Sequence, residues 1–361
     1  MKSQTARFAV VGLGYWGPNL LRVLNDLDGC AVRWLCDVDE ERLRRFGDRH
    51  PDCLTTTSFD EVIEDDAVDA VVIATPVFTH YDLASRSIAA GKHTFVEKPL
   101  ASSSALAEEL IDVADEHDRL LMCGHTFIYS PPVTAVKDLL DRNVLGELFF
   151  VSSSRVNLGL HQRDVSVVWD LGPHDFSILL YWLGEIPTSV RAVGRDSIVE
   201  GIPDVAFVAL TFPSGVVANI ELSWLAPSKL RRTVLVGREK MVVYEDGAPE
   251  PVRVFDHGVV YEDPESFGEY QLSYRTGDIL SPKLSGHEPL SMELADFAHA
   301  VRAGDSMREH TRLAKNVVRV TEAADRSLHE GGRPIQLPAR ETLHDLNPRV
   351  DDAAAEPKVV R

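Results

Sequence analysis

Three groups of residues in this 361-residue chain have types and spacings that can do chemistry. The first is Gly12-Leu-Gly14-Tyr15-Trp16-Gly17, which follows an apolar run, Phe8 to Val11, and opens a helical pattern. Gly12 permits a tight turn, Gly14 lets a pyrophosphate approach the backbone, and Gly17 lets helix pack on strand. The free amides and dipole of the helix start favour phosphate, with Tyr15 and Trp16 inside the turn. Asp37, at the end of the next apolar run, can accept hydrogen bonds from ribose hydroxyls. Together these predict a dinucleotide site. Asp37 repels a 2′-phosphate, which favours NAD over NADP, although Arg42, Arg44 and Arg45 lie close behind.

The second group is Glu97-Lys98-Pro99, directly after an apolar run at 93–96. Residues at the carboxyl ends of parallel strands face the ligand crevice of such sheets, so Lys98 is aimed at the cofactor and can hydrogen-bond a substrate hydroxyl. The third is Trp169-Asp170-Leu-Gly-Pro-His174-Asp175. On a helix, Asp170 and His174 share a face, and a carboxylate beside an imidazole steadies its tautomer for proton transfer near neutrality. Residue types alone leave plainer readings open. Lys98 reads equally as a surface lysine at a turn, and Asp170 with Pro173 as an ordinary capped helix start.

The elements that must position these groups fall into two patterns. Up to about residue 125, strand and helix patterns alternate, as in a parallel α/β sheet. Helices are predicted near 16–27, 40–49, 80–91 and 102–117, with strands at 8–11, 31–37, 68–75, 93–96 and 119–123. VDAVVIAT at 68–75 reads as a central strand buried on both faces. Beyond about 143, extended candidates follow in series at 147–157, 189–195, 204–212, 216–224, 230–244 and 251–256. One strong helix (165–183) lies near their start, and helical periodicity returns at 290–303 and 311–329. The fold class is therefore an α/β Rossmann N-terminal domain plus an α+β C-terminal domain with an open, mainly antiparallel sheet. The expected division is 1–125, 126–345 and a disordered polar tail at 346–361.

Lys plus Arg number 37 against 56 Asp plus Glu, a net charge of −19. That balance argues against nucleic acid, which is bound by neutralising phosphates with basic residues. Cys30, Cys36, Cys53 and Cys123 show no CxxC spacing, so reduced thiols and no metal site are expected. The N-terminus shows no secretory leader and no apolar run approaches membrane length, so a cytoplasmic protein without a membrane partner is expected.

GLGYWG, EKP at 97–99 and DxGxHD at 170–175, in that order, resemble the Gfo/Idh/MocA family of oxidoreductases over nearly the whole chain to about residue 340. The resemblance implies that Lys98, Asp170 and His174 surround a reacting carbinol next to the nicotinamide. It also implies that Thr75-Pro76, His80 and Glu97 border the nicotinamide ribose. The reaction that follows is reversible hydride transfer between a secondary alcohol carbon and the nicotinamide. In it His174 is the general base, Asp170 orients it, and Lys98 polarises the same oxygen; whether Lys98 or His174 carries the proton stays open.

Three segments bear on the substrate: His125-Thr-Phe-Ile-Tyr129, Arg155-Val-Asn157 running on to Arg163, and Lys229 with Arg231 and Arg232. Arginine suits phosphate because its planar fork binds two oxygens. These stretches look like the branch of the family associated with sugar-nucleotide, surface-polysaccharide or antibiotic-sugar biosynthesis. That resemblance implies a nucleotide-linked sugar, often handled at C3, with His125, Tyr129, Arg155, Asn157, Arg163 and Lys229 as substrate contacts. Salt bridging of Arg155 and Arg163 to acidic neighbours is the plainer reading. The alternatives are a dehydrogenase of free polyol, inositol or simple glycoside, and a non-catalytic NAD-binding regulator. An open sheet face is a natural oligomer surface, and the family resemblance implies a homodimer or homotetramer.

Overall fold

The computed structural model describes residues 5–159, 165–261, 272–338 and 343. The chain divides into two compact units: residues through Tyr129 with His287–Arg319, and Ser130–Gly286 with Val320–Leu343.

In the first unit the order is β1 (Ala6–Val11), α1 (Gly17–Asp26), β2 (Cys30–Cys36), α2 (Glu40–Gly47), β3 (Leu54–Thr56), α3 (Phe59–Glu64), β4 (Ala70–Ile73), α4 (His80–Ala89), β5 (His93–Glu97), α5 (Ser104–Glu116) and β6 (Leu121–Gly124). The six strands lie in the order β3-β2-β1-β4-β5-β6, and every pairing is parallel. All four residues of β4 are buried, as expected of a strand covered by helices on both faces. The strand order reverses between β1 and β4, and ligands of open α/β sheets bind at such a switch point, beyond the carboxyl ends of the strands. Gly12 follows β1 there, Thr75 follows β4, Lys98 follows β5 and His125 follows β6. β3 and α3, of three and six residues, are too short to show periodicity in sequence.

The second unit runs α6 (Pro131–Asp141), β7 (Leu148–Leu158), α7 (Val167–Leu183), β8 (Ser189–Arg195), β9 (Val205–Thr211), β10 (Val217–Ser223), β11 (Leu225–Gly237), β12 (Met241–Glu245), β13 (Val252–Tyr261) and β14 (Leu272–Leu280). With β15 (Ile335–Gln336) these strands form a nine-stranded sheet, β14-β13-β12-β11-β7-β10-β9-β8-β15. It is antiparallel except where β7 and β10 run parallel. Alternation decides its faces: β9 buries Ala206, Val208 and Leu210 and exposes Phe207, Ala209 and Thr211. The extended candidate at 230–244 is two strands, because Gly237 turns to bond Lys240 through its backbone. The sequence pattern does not predict α6, whose Pro-Pro start resembles the loop before it.

Two helices follow, α8 (Pro289–Ala303) and α9 (Arg308–His329). Here the structure corrects the expected division, since 287–319 belongs with the first unit. The reason is packing. Phe297 of α8 is fully buried against Phe8 of β1 and Phe95 of β5, with ring centroids 6.3 and 5.6 Å away. An amphipathic pattern shows that a helix has an apolar face, not which sheet covers it. Among the described residues no helix is long and apolar enough to cross a membrane.

Candidate functional site

The three motif glycines have separable roles. Gly12 has φ +92°, and a Cβ there would lie 2.5 Å from the Ala74 carbonyl oxygen. A Cβ at Gly17 would sit 1.9 Å from the Gly12 oxygen, so Gly17 is demanded by the turn itself. At Gly14 a Cβ would meet nothing within 4 Å. That open space above the backbone fits a pyrophosphate. The first turn of α1 contains no acidic residue and no side chain caps it; Pro18 has no N–H and the Asn19 and Leu20 amides bond the Trp16 carbonyl, so phosphate would meet the glycine turn up to Gly17 at the positive end of the helix dipole. Tyr15 is 92% exposed beside Trp16.

Asp37 is buried, and its carboxylate braces the turn: Oδ2 accepts from the Leu13 amide at 2.6 Å and Oδ1 from the Asp39 amide at 2.9 Å. Each oxygen keeps a second lone pair for a ribose hydroxyl. Arg42 stands 3.7 Å from Asp37 Oδ2, so one of the arginines behind the motif partly neutralises Asp37. Asp37→Ala is expected to weaken NAD binding about tenfold to a hundredfold, the worth of hydrogen bonds to a charged acceptor. NADP binding should fall less, and titration of cofactor fluorescence quenching measures both.

Thr75 Oγ1 lies 2.7 Å from Thr79 Oγ1, and Pro76 is exposed. His80 corrects its expected place beside the ribose. It is 1% exposed, with Nδ1 2.8 Å from the Pro99 oxygen and Nε2 2.8 Å from the Thr75 oxygen. Both ring nitrogens are occupied, so His80 joins the Thr75 loop to the turn carrying Lys98 and offers no atom to a ligand. Two carbonyls require two donors, which only the protonated ring has; burial, aided by Lys98, nevertheless pulls its pKa down.

Glu97 ends β5 and half-buried Lys98 follows it. Glu97 Oε1 is enclosed without a hydrogen-bond partner, and Oε2 accepts from the Lys98 amide at 3.3 Å. Burial pushes the carboxyl up to about 7, against the opposing pull of Lys98 and Trp16. Its room comes from Gly124, where a Cβ would fall 3.2 Å from Glu97 Oε1.

Two residues expected on the substrate side belong to the interior. His125 is 3% exposed and burial lowers its pKa to about 3. Tyr129 is fully buried; its hydroxyl donates to Asp296 Oδ2 at 2.8 Å and lies 2.7 Å from His310 Nε2. Tyr129 is thereby tied to α8 and α9, helices that sequence does not assign to this unit.

In the second unit, α7 begins at Val167 after Ser166, and the Asp170 amide already bonds the Ser166 carbonyl at 3.1 Å. Asp170 is therefore inside the helix and not its cap, and Pro173 is interior as well. Asp170 and His174, four apart on a continuous helix, share one face. The Asp170 carboxylate is held instead by Trp224, whose Nε1 donates to Oδ2 at 2.9 Å. Nothing in the sequence marks Trp224, 54 residues away; only the path of β10 brings it there. Trp224→Phe keeps the packing but removes a charge-assisted bond. It is expected to lower kcat about tenfold with little change in KM, measured by steady-state kinetics.

Arg155 is not a free anion ligand. It is 3% exposed and its Nε donates to Asp175 Oδ2, while Ser153 Oγ donates to Asp175 Oδ1 at 2.7 Å. On β7 the period of two turns Ser153 and Arg155 to the same inner face, where α7 supplies the acid. Asn157 remains a candidate, because its Oδ1 is enclosed without a partner. Opposite it, pairing of β11 with β7 slips between Leu225 and Leu230, so Ala226 to Lys229 bulge outward and Lys229 is exposed. Bulges of this kind often border functional sites. Arg231 donates to Asp246 Oδ2 at 2.8 Å while Arg232 is exposed, so the basic cluster does not act as one patch. Arg163 lies outside the described residues. All four cysteines are free, and no metal-binding group of His, Cys, Asp and Glu occurs among the described residues.

Residues 6–125 match the model of an oxidoreductase family with an NAD-binding Rossmann fold, and residues 133–243 match the GFO/IDH/MocA C-terminal domain. The chain belongs to the Gfo/Idh/MocA family. Curated relatives include 2,7-anhydro-N-acetylneuraminate hydratase of Escherichia coli, 27% identical over 59% of this chain and 60% of that protein. UDP-N-acetylglucosamine 3-dehydrogenase of Acidithiobacillus ferrooxidans is 28% identical over 63% and 69%. The chain thus spans about three fifths of the length of the first of these relatives. Among solved structures, GenD2 from gentamicin A biosynthesis, in complex with NAD, has a TM-score of 0.78 and 27% identity, covering 93% of this chain and 97% of its own. As a member of this family the chain carries an NAD-binding Rossmann domain; Asp37 and Lys98 directly follow β2 and β5, and Asp170 and His174 lie on α7.

Proposed function

We propose that this protein is an NAD-dependent dehydrogenase or ketoreductase acting on a secondary alcohol or ketone of a sugar, the sugar being nucleotide-linked. The observation that carries the catalytic part is Asp170, freed from capping by the earlier start of α7 and fixed by Trp224, with His174 one turn further on. NAD, when bound, exchanges hydride with the alcohol carbon. His174 accepts the hydroxyl proton, Asp170 keeps the ring in a proton-accepting tautomer, and Lys98 hydrogen-bonds the same oxygen as carbonyl character grows. Asp37 receives the adenosine ribose and the Gly14 turn the pyrophosphate, while Thr75, Pro76 and Glu97 border the second ribose.

Support for the nucleotide link is the exposed Lys229 in the bulge opposite Asn157 and the kinship to a UDP-N-acetylglucosamine 3-dehydrogenase. A second reading, a free sugar or polyol as substrate, is favoured by the inward pairing of Arg155 with Asp175, which takes one phosphate ligand away. Thermal shift with NAD present separates the two. UDP- or dTDP-sugars should raise Tm where the free sugars do not; stabilisation by free polyols alone overturns the nucleotide link. We also assign the exposed sheet residues Phe150, Phe207 and Val217 to a homo-oligomer interface, and place the protein, with its free thiols, in the cytoplasm.

A further inference from the structure

The first unit buries a group of ionisable side chains that the hydride chemistry does not use. Glu293, on α8, is 0% exposed. Its Oε2 accepts from Thr126 Oγ1 at 2.6 Å, and its Oε1 is enclosed without a hydrogen-bond partner. Glu97 Oε1 is enclosed and unpartnered in the same way. Glu97 is the register partner of Gly124 across β5 and β6, and Thr126 follows two residues later, so both carboxyls border the end of one strand. The other groups bearing on them are Lys98 from the turn after β5, the Trp16 side chain, Cys123 from β6, the backbone amide of His125 beyond it, and Asp296 on α8.

Two half-partnered carboxylates, Glu293 fully buried and Glu97 half-buried with its Oε1 enclosed, cannot both stay charged cheaply. Burial, reinforced by the charges of Glu97 and Asp296, drives Glu293 well above the carboxylate range, while Glu97 is pushed up to about 7. Glu293 therefore keeps its proton and Glu97 titrates near neutrality. A neutral Glu293 sets no negative charge against the ionised form of Glu97.

We propose that Glu293 is a positioning residue for the cofactor end: it is buried as a neutral carboxylic acid behind Glu97, and the pair releases a proton, from Glu97, when a positively charged nicotinamide binds. The O–H bond of Glu97 breaks, the proton passes to solvent, and no electrons move. The inference rests on the cofactor reading above, in which Glu97 borders the nicotinamide ribose.

Calorimetric titration of the full chain with NAD⁺ and with NADH, at about pH 7 in two buffers of different ionisation enthalpy, counts the protons exchanged. At this pH Glu97, with its carboxyl pushed up to about 7, carries about half a proton, so NAD⁺ is expected to release up to about half a proton and NADH none. Glu97→Gln should abolish the release, and Glu293→Gln, whose amide replaces the neutral acid, should keep it. In the cofactor-free protein, Glu293→Gln should match the parent at about pH 4, where the unfolded carboxyl is still largely protonated, and should be increasingly the more stable of the two as pH rises from there. A carboxyl whose folded pKa exceeds its unfolded value makes unfolding easier by up to about tenfold per pH unit between the two. Proton-silent NAD⁺ binding, or an unfolding constant raised about tenfold or more by Glu293→Gln at about pH 6, overturns the proposal. If neither cofactor binds, the cofactor reading falls, and the stability of Glu293→Gln still decides whether Glu293 is neutral.

Discussion

Replacing Lys98 or His174 with alanine is expected to lower kcat/KM by about 10²–10⁴, the usual contribution of a positioned proton-transfer or oxyanion-stabilising group. NAD affinity in both variants should stay within about threefold of the parent, since neither group is assigned to the cofactor's phosphates or adenosine ribose. The double variant carries the sharper information. If Lys98 and His174 serve one chemical step at one oxygen, their losses do not add, and the double variant should be only slightly worse than the poorer single. If they serve separate steps, the two logarithmic losses sum. Steady-state kinetics of four proteins distinguishes these outcomes. Turnover unchanged in both single variants removes the catalytic assignment. Absence of turnover in the parent, with tight NAD binding, favours a cofactor-binding regulator.

These residues are legible in the sequence because they depend on short-range rules. Gly12, Gly14 and Gly17 sit in a strand–turn–helix context that only a few backbone conformations satisfy, and Asp37 falls at the end of the neighbouring strand. Asp170 and His174 need only helical spacing. What the sequence hides depends on long-range packing. Trp224 reaches Asp170 through the register of β10 in the sheet, and no local pattern encodes a contact 54 residues apart. Arg155 misleads for a related reason. An arginine in a strand near a site suggests an anion ligand, but the partner that claims it, Asp175, comes from α7. His80 and Tyr129 show the same limit: polar side chains close to a motif in sequence are turned inward, His80 by the Thr75 carbonyl of its own loop and the Pro99 carbonyl beyond β5, Tyr129 by Asp296 of α8.

Two of the motif glycines offer the second large effect, because alanine at each should fail differently. Gly17→Ala places a methyl group 1.9 Å from the Gly12 carbonyl oxygen. That oxygen is backbone in a turn whose Gly12 already occupies φ +92° and lies against Ala74, so it cannot yield without opening the contact between β1 and α1. Overpacking of ordinary core sites costs roughly 1–3 kcal/mol. A clash with fixed backbone at this distance is expected to exceed that range, at about 4 kcal/mol, and so to lower Tm by roughly 8–16 °C or prevent folding, at the roughly 2–4 °C lost per kcal/mol in a domain of about 150–250 residues. Gly14→Ala meets nothing within 4 Å, and its φ lies outside the left-handed region. The cofactor-free protein should therefore melt within about 1 °C of the parent, or slightly above it, because alanine restricts the unfolded chain. NAD binding should nevertheless weaken by tenfold or more, about 1.4 kcal/mol, as the methyl group enters the space left for the pyrophosphate. Equal loss of stability in both variants would mean that the open space over Gly14 is needed by the fold. Unchanged NAD affinity in Gly14→Ala would move the pyrophosphate away from this turn, and with it the phosphate role of the start of α1.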